Sequence, residues 1–342
     1  MNVYINVYYL LIMAKLYFDG DAELIRGKVI SMIGFGNQGS AQALNLRDGG
    51  FNVIIGNIED EYANRARSLG FTVYSIPEAV KRGDVVVMAI PDEVQPEVWI
   101  RDIAPNLSPG KIVVFLSGYN VYYGFIKPPK DVDVIMVAPR MIGEGVRDNF
   151  VNGKGFPVLI GVANNYSGRA WDHALAYSKA IGAIGKPGGV AVESSFEEET
   201  ITDLFSEHTW AGAFLFLLAE GYNVLVENGV SPEAAMLELW ASGELIAITK
   251  AIVEKGLFAQ LKGHSTTSQY GHLTWGPRYV TDEVKKLMRE AIRQIKDGTF
   301  AREWALERML GYPVFNRLWD EIMRGRVWQD EDRLYRALGR RK

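Results

Sequence analysis

The chain has 342 residues, enough for two domains of ordinary size, with 23% charged residues and a formal net charge of −4. That balance offers no basic surface to a nucleic acid or an anionic membrane. Cysteine is absent, which excludes disulfides, thiol catalysis and cysteine-ligated zinc.

Residues Met1–Ile12 are apolar and aromatic, lack a basic start and a small-residue cleavage site, and are too short to span a bilayer. Met13-Ala-Lys-Leu-Tyr-Phe reads as a more natural beginning, so the preceding stretch is expected to be an upstream extension or a loose, unstructured tail.

The first strong element is the apolar run 28–33, rich in β-branched residues, ending in Gly34-Phe35-Gly36-Asn37-Gln38-Gly39. Ser40 to Arg47 follow as a helix. A strand, then G-x-G-x-x-G, then a helix is the dinucleotide fingerprint: a tight turn, a close backbone approach to a pyrophosphate, and a helix N-terminus facing its charge. A plain tight turn is the weaker reading.

Further strands are expected at 52–56, 84–90, 111–116, 132–137 and 157–162, with helical segments such as 60–69 and 77–81 between them. This alternation predicts an α/β fold with a mostly parallel sheet covered on both faces, and ligands at the carboxyl ends of its strands. Strand 52–56 runs into Asn57-Ile58-Glu59-Asp60-Glu61. Carboxylates there repel a 2′-phosphate and accept from a ribose 2′-hydroxyl, so Glu59 and Asp60 favour NAD over NADP. An acidic start to the next helix would look the same.

The glycine-rich Lys186-Pro-Gly-Gly-Val190 is a hinge candidate, and after about Glu193 the strand signal stops. We expect a nucleotide-binding domain over 13–193 and a helical domain over 194–336, with helices near 198–228, 232–255, 281–297 and 300–310. The run Thr209–Leu218 is apolar all round. It is too short for a membrane span, so it should be buried on every side, in a helical core or against a partner subunit. A cytoplasmic location is expected.

Asp203 and Glu207 stand at i and i+4 on a helix entering that run, and a second helix carries Glu238 near apolar neighbours. Buried carboxylates are costly unless paired or bound to a metal, and oxygen ligands at this spacing suit Mg²⁺; a solvated face or a salt bridge is the alternative. Lys262 to His272, rich in small hydroxyl residues, reads as a loop that wraps a polar ligand or caps a helix.

Together these segments resemble the ketol-acid reductoisomerase family in its short, class I form. The resemblance is carried by Gly34–Gly39 with Ala43-Leu-Asn-Leu-Arg-Asp48, Pro91-Asp-Glu-Val-Gln95, Pro128 to Pro139, Glu198 to Phe205 and Gly276-Pro-Arg278. It implies a Rossmann domain followed by an all-α knotted domain packed on a second subunit, at least a dimer, with two Mg²⁺ held by carboxylates. The implied reaction is an alkyl shift in a 2-acetohydroxy acid such as 2-acetolactate, in branched-chain amino-acid biosynthesis, followed by hydride transfer from NADH or NADPH. By position, Phe35, Gly36, Asn37, Gln38, Asp92, Glu93, Val94, Gln95 and Gly143 fall on cofactor contacts. Asp203, Glu207 and Glu238 fall on metal-ligand positions, and Ser265 on a substrate contact.

Departures cluster at the site. Ser117 stands where the family has histidine, Arg140 where it has lysine, Ser242 where it has the fourth metal carboxylate, and Gln269 where it has glutamate. Ser117, Arg140 and Glu207 remain at catalytic positions. Ser117 removes a group titrating near neutral pH, Arg140 is an always-protonated fork, and Ser242 leaves a metal pair less well neutralised. The second Mg²⁺ should therefore bind more weakly, which puts the alkyl shift in question more than the reduction. His208, beside Glu207, is expected to be a polar neighbour. The alternative activity is a plain NAD(P)H-dependent reductase of another 2-keto acid. A nucleotide-binding sensor is disfavoured, since it has no reason to keep Asp203, Glu207 and Glu238.

Overall fold

The computed structural model describes residues 13–341; the expectation for Met1–Ile12 lies outside them. The described residues divide into two compact units, one up to Thr202 and one from Asp203.

The first unit is built on nine strands: β1 (Leu16–Tyr17), β2 (Val29–Ile33), β3 (Asn52–Gly56), β4 (Val73–Tyr74), β5 (Val85–Met88), β6 (Ile112–Phe115), β7 (Asp133–Pro139), β8 (Pro157–Asn164) and β9 (Val190–Glu193). They form one sheet in the order β1-β9-β8-β7-β6-β5-β2-β3-β4. The stretch from β7 to β4 is parallel throughout, whereas β8 runs antiparallel to β7 and β1 antiparallel to β9. Continuous Val/Ile runs suit this core, because strands covered on both faces need apolar side chains on both. Val85–Met88 and Ile112–Phe115 are buried at every position. One apolar cluster lies on each face, one containing Leu46, Val146 and Tyr177, the other Val80, Trp99 and Phe196.

All six expected strands are present, within a few residues. The three others, β1, β4 and β9, are short. Such pieces carry too few residues for a periodic signal, and pairing with a formed neighbour decides them.

The second unit is helical. The Phe196–Ser206 helix continues through a π-helical turn at Glu207–Ala211 into Gly212–Glu227. Pro232–Met236 similarly passes through a π turn at Leu237–Ala241 before Glu244–Lys255. The stretch read as a loop up to His272 is instead mostly the start of a helix, Thr266–Tyr279. Its hydroxyl-rich sequence is an N-terminal cap: Ser265 accepts from the Ser268 backbone N–H at 3.2 Å.

The burial expected for Thr209–Leu218 is not found within one chain. Trp210, Leu215, Phe216 and Leu217 are all more than half exposed. The run is also longer than its apolar segment suggests. Phe196–Glu227 is one 32-residue helical stretch, long and apolar enough by length and composition to cross a membrane.

Candidate active site

The carboxyl end of β2 supplies the turn. Gly34 has φ +99° and its Cα faces the Ala89 carbonyl, so a Cβ there would come within 2.7 Å of that oxygen. A Cβ on Gly39 would lie 2.4 Å from the Gly34 carbonyl. The first and third glycines are thus demanded by the fold itself. Gly36 is different: a Cβ there would meet nothing within 4 Å. Its missing side chain serves no internal contact and leaves backbone open to a ligand, as a nucleotide turn requires. The helix Asn37–Asp48 begins there without a side-chain cap, so its first N–H groups are available to an anion.

Beside this turn lies a cleft of about 260 Å³, lined by Gly36, Asn37, Gln38, Asp92, Gln95 and Ser117 among others. It sits over the carboxyl ends of β2, β5 and β6, where open α/β sheets bind ligands. Gly143 packs against the turn, because a Cβ on it would fall 2.2 Å from the Asn37 carbonyl. Gln38 fixes the same approach by donating from Nε2 to the Met141 carbonyl at 2.7 Å. Phe35 turns its ring into the core, edge-on to Phe71 at 5.5 Å, which leaves its backbone at the turn. Val94 packs against the apolar cluster on the far face of the sheet. Glu93, next to it, is partly exposed.

Two polar networks lie at and beside the cleft. In one, the Ser117 hydroxyl donates to Asp92 Oδ1 at 2.9 Å, and Gln95 Nε2 and Asn120 Nδ2 donate to the same oxygen at 3.1 and 3.3 Å. In the other, the buried Glu199 carboxylate accepts from the Gly118 backbone N–H and from the Arg140 guanidinium, each at 2.6 Å. Gly118 tolerates no side chain, since a Cβ would lie 2.1 Å from the Phe196 carbonyl. Arg140, at the end of β7, is therefore tied to the Phe196 helix by a charged pair.

Glu199 is a site residue that the sequence alone does not single out. Its signal was present: Glu199, Asp203 and Glu207 stand at i, i+4 and i+8 on one helical stripe. The neighbouring Glu197 and Glu198 are exposed.

At the end of β3, Glu59 forms a two-pronged ion pair with Arg67 at 2.6 and 2.8 Å, which holds its carboxyl below the usual range. Asp60 caps the helix Glu61–Ser68, accepting from the Ala63 N–H at 2.9 Å and from Asn57 at 2.8 Å. The helix-start reading of this acidic cluster therefore holds for Asp60.

In the second unit, burial and then the neighbouring Asp203 raise the pKa of Glu207. Two carboxylates one turn apart, with Asp203 penalising the charge of Glu207, form the donor set that a divalent cation relieves. Both π turns fall at candidate ligands, one starting at Glu207 and one containing Glu238. Such turns are rare and frequently mark functional positions. Among the described residues, no three His, Asp or Glu side chains are grouped to hold a metal, so Glu238 is not brought to Asp203 and Glu207 within one chain. Ser242 accepts from the Glu244 N–H at 3.3 Å, and Gln269 donates to the His264 carbonyl at 2.8 Å. His208 packs edge-on to Phe300 at 4.2 Å, and burial lowers its pKa.

Residues 24–188 match the family model described as acetohydroxy acid isomeroreductase, NADPH-binding domain, and residues 196–339 that of the ketol-acid reductoisomerase C-terminal domain. The chain is 50% identical over 332 residues to a Saccharolobus solfataricus protein named "Putative ketol-acid reductoisomerase 3", covering 96% of this chain and 99% of that one. It is 47% identical to the ketol-acid reductoisomerase (NADP(+)) of Pyrobaculum neutrophilum, over 91% of this chain and 94% of that one. Among solved structures, an NADH-preferring ketol-acid reductoisomerase from an uncultured archaeon superposes with a TM-score of 0.89 at 35% identity, over 94% of this chain and 98% of that one.

Proposed function

The chain belongs to the ketol-acid reductoisomerase family, a family of oxidoreductases, and from that premise we propose that it converts 2-acetolactate and related 2-acetohydroxy acids with NADH and Mg²⁺. The observation that carries this reading is the stripe Glu199, Asp203, Glu207 on one helix, with Glu199 already bound to Arg140. An alkyl group of the substrate moves from C2 to C3, giving a 3-hydroxy-2-keto acid. A bound nicotinamide would supply the hydride that reduces the C2 carbonyl, and a proton would complete the 2,3-dihydroxy acid.

The uncapped N–H groups at Gly36 and Asn37 would hold the pyrophosphate of the cofactor, and Glu59 at the end of β3 would accept from its adenosine ribose. The cleft over β5 and β6, lined by Asp92 and Ser117, would hold the nicotinamide half. Asp203 and Glu207 are the ligands for Mg²⁺, which when bound supplies Lewis-acid polarisation of the ketol oxygens. Arg140 adds a fixed positive charge that cannot act as a base near neutral pH. Glu199 holds it in place.

The test is oxidation of NADH and of NADPH with excess Mg²⁺, on 2-acetolactate and on 3-hydroxy-3-methyl-2-oxobutanoate. We expect turnover of both acids. Turnover of the ketoacid alone would mean that the alkyl shift has been lost with the family histidine, lysine and fourth carboxylate. Turnover of neither would sink the proposal.

We expect NADH to be preferred, because the Glu59 carboxylate at the end of β3 would repel a 2′-phosphate. Glu59→Ala frees Arg67 from its carboxylate and should raise kcat/KM for NADPH relative to NADH by roughly tenfold. An unchanged ratio would move the discrimination elsewhere. Asp60 is the poorer target, since its loss also removes a helix cap worth about 1 kcal/mol.

The exposed Trp210, Leu215 and Phe216 support a dimer, as covering each such side chain is worth about 1.5–3 kcal/mol. A second copy of this helical unit is the partner, and it would also supply the carboxylate that one chain leaves away from Asp203 and Glu207. Light scattering at micromolar concentration should give twice the chain mass or a multiple of it. A monomer would contradict this. Such an assembly fits a cytoplasmic enzyme.

A further inference from the structure

We propose that Ser117 is a specificity residue of the cofactor cleft: an acceptor-only hydroxyl that receives a hydrogen bond from an N–H or O–H group on the nicotinamide half of the cofactor. The inference rests on the reading of that cleft as a dinucleotide site.

It follows from the donors around Asp92. Gln95 is buried, and its side-chain nitrogen lies 2.9 Å from the Ile90 carbonyl, so its amide can face only one way. Asn120 is buried too, with its side-chain nitrogen 2.9 Å from the Asp92 carbonyl. Backbone carbonyls never donate, so both side-chain nitrogens are fixed as donors. Both also point at Asp92 Oδ1, which is thereby fixed as an acceptor. The Ser117 hydroxyl lies 2.9 Å from the same oxygen, and its single proton is directed to it. The arrangement has a visible cost: Asn120 Oδ1 is buried with no hydrogen-bond partner among the described residues.

With its proton committed, Ser117 presents only lone pairs to the cleft that it lines. A histidine at this position would offer a donor or an acceptor according to tautomer and charge. Serine held by Asp92 offers one polarity at every pH where Asp92 is ionised. The donors on the nicotinamide half are the carboxamide N–H groups and the ribose hydroxyls, and Ser117 discriminates for a cofactor that carries them.

The experiment measures Kd by fluorescence titration for NADH and for the reduced 3-acetylpyridine analogue, which has no carboxamide N–H. The full-length wild type, Ser117→Ala and Ser117→Thr are compared. We expect Ser117→Ala to weaken NADH by about 5- to 30-fold, the effect of one buried hydrogen bond and its orphaned partner. Ser117→Thr, which keeps the hydroxyl, should restore most of the loss. If the carboxamide is the donor, the analogue binds wild type and Ser117→Ala alike. If a ribose hydroxyl is the donor, the analogue loses affinity in step with NADH. A folded Ser117→Ala that binds NADH as the wild type does overturns the inference and leaves the dinucleotide site standing. A wild type that binds no reduced nicotinamide overturns the site itself, and the inference with it.

Discussion

Glu199→Gln should lower stability by about 2–4 kcal/mol and reduce turnover at least about tenfold. The carboxylate is buried to 1% side-chain exposure and satisfies two donors at once, the Gly118 N–H and the Arg140 guanidinium. Both need an acceptor. A glutamine can turn its carbonyl oxygen to one of them, and its NH₂ then opposes the other. Losing one partner of a buried ion pair costs about 3–5 kcal/mol because the remaining charge is left uncompensated. Arg140 is 30% exposed on its side chain, so water recovers part of that penalty, and the lower range follows. Turnover suffers for a separate reason: Arg140 loses a group that aims it. Glu199→Asp separates the two effects, since it keeps the charge but is one methylene short of spanning both donors. It should cost less stability than glutamine while still impairing turnover. Urea melts and steady-state kinetics on the same samples would read both. A Glu199→Gln protein as stable and as active as the wild type would remove Arg140 and Glu199 from the site.

The sequence made the sheet and the glycine turn legible because their causes are local. Buried parallel strands must be continuous Val/Ile runs, and a turn with φ +99° at Gly34 needs glycine. Gly36 shows how far that goes, since only three-dimensional packing reveals that its missing side chain faces open space. Other features were hidden for physical reasons. Asp60 and Ser265 are polar residues whose sequence fits both a ligand contact and a helix cap, and local hydrogen bonding gives both a cap. Glu199 needed the fold, because its partners lie 59 and 81 residues away along the chain. The π turns at Glu207 and Leu237 have no composition signature at all. The apolar helix was read correctly as apolar, yet periodicity cannot say whether an all-apolar surface is covered by its own chain. In this chain Phe216 is 68% exposed, and that answer comes only from the fold.

Mg²⁺ should stabilise the wild type strongly and Glu207→Gln hardly at all, while the metal-free variant melts at or slightly above the metal-free wild type. The two halves of this expectation come from one fact. Burial and the nearby Asp203 both disfavour the charged form of Glu207, raising its pKa in the folded protein. A carboxyl whose folded pKa is raised costs stability once the pH exceeds that value, and the cost disappears as the pH falls through it. Removing the charge with glutamine removes the cost, so the metal-free protein has nothing to lose on this account. In the wild type a dication between the two carboxylates reverses the sign, because it favours both charges together. A ligand at a hundred times its Kd adds about 2.7 kcal/mol, which a thermal melt resolves easily. Calorimetric titration of Mg²⁺ gives the count as well. Two ions per chain would mean that the assembled protein holds a pair despite Ser242, whereas one would mean that the lost carboxylate has cost the second site. If Glu207→Gln responds to Mg²⁺ like the wild type, Glu207 is not a ligand. If metal-free Glu207→Gln is clearly less stable than the wild type, the carboxylate is instead held by a favourable contact, and its raised pKa has another origin.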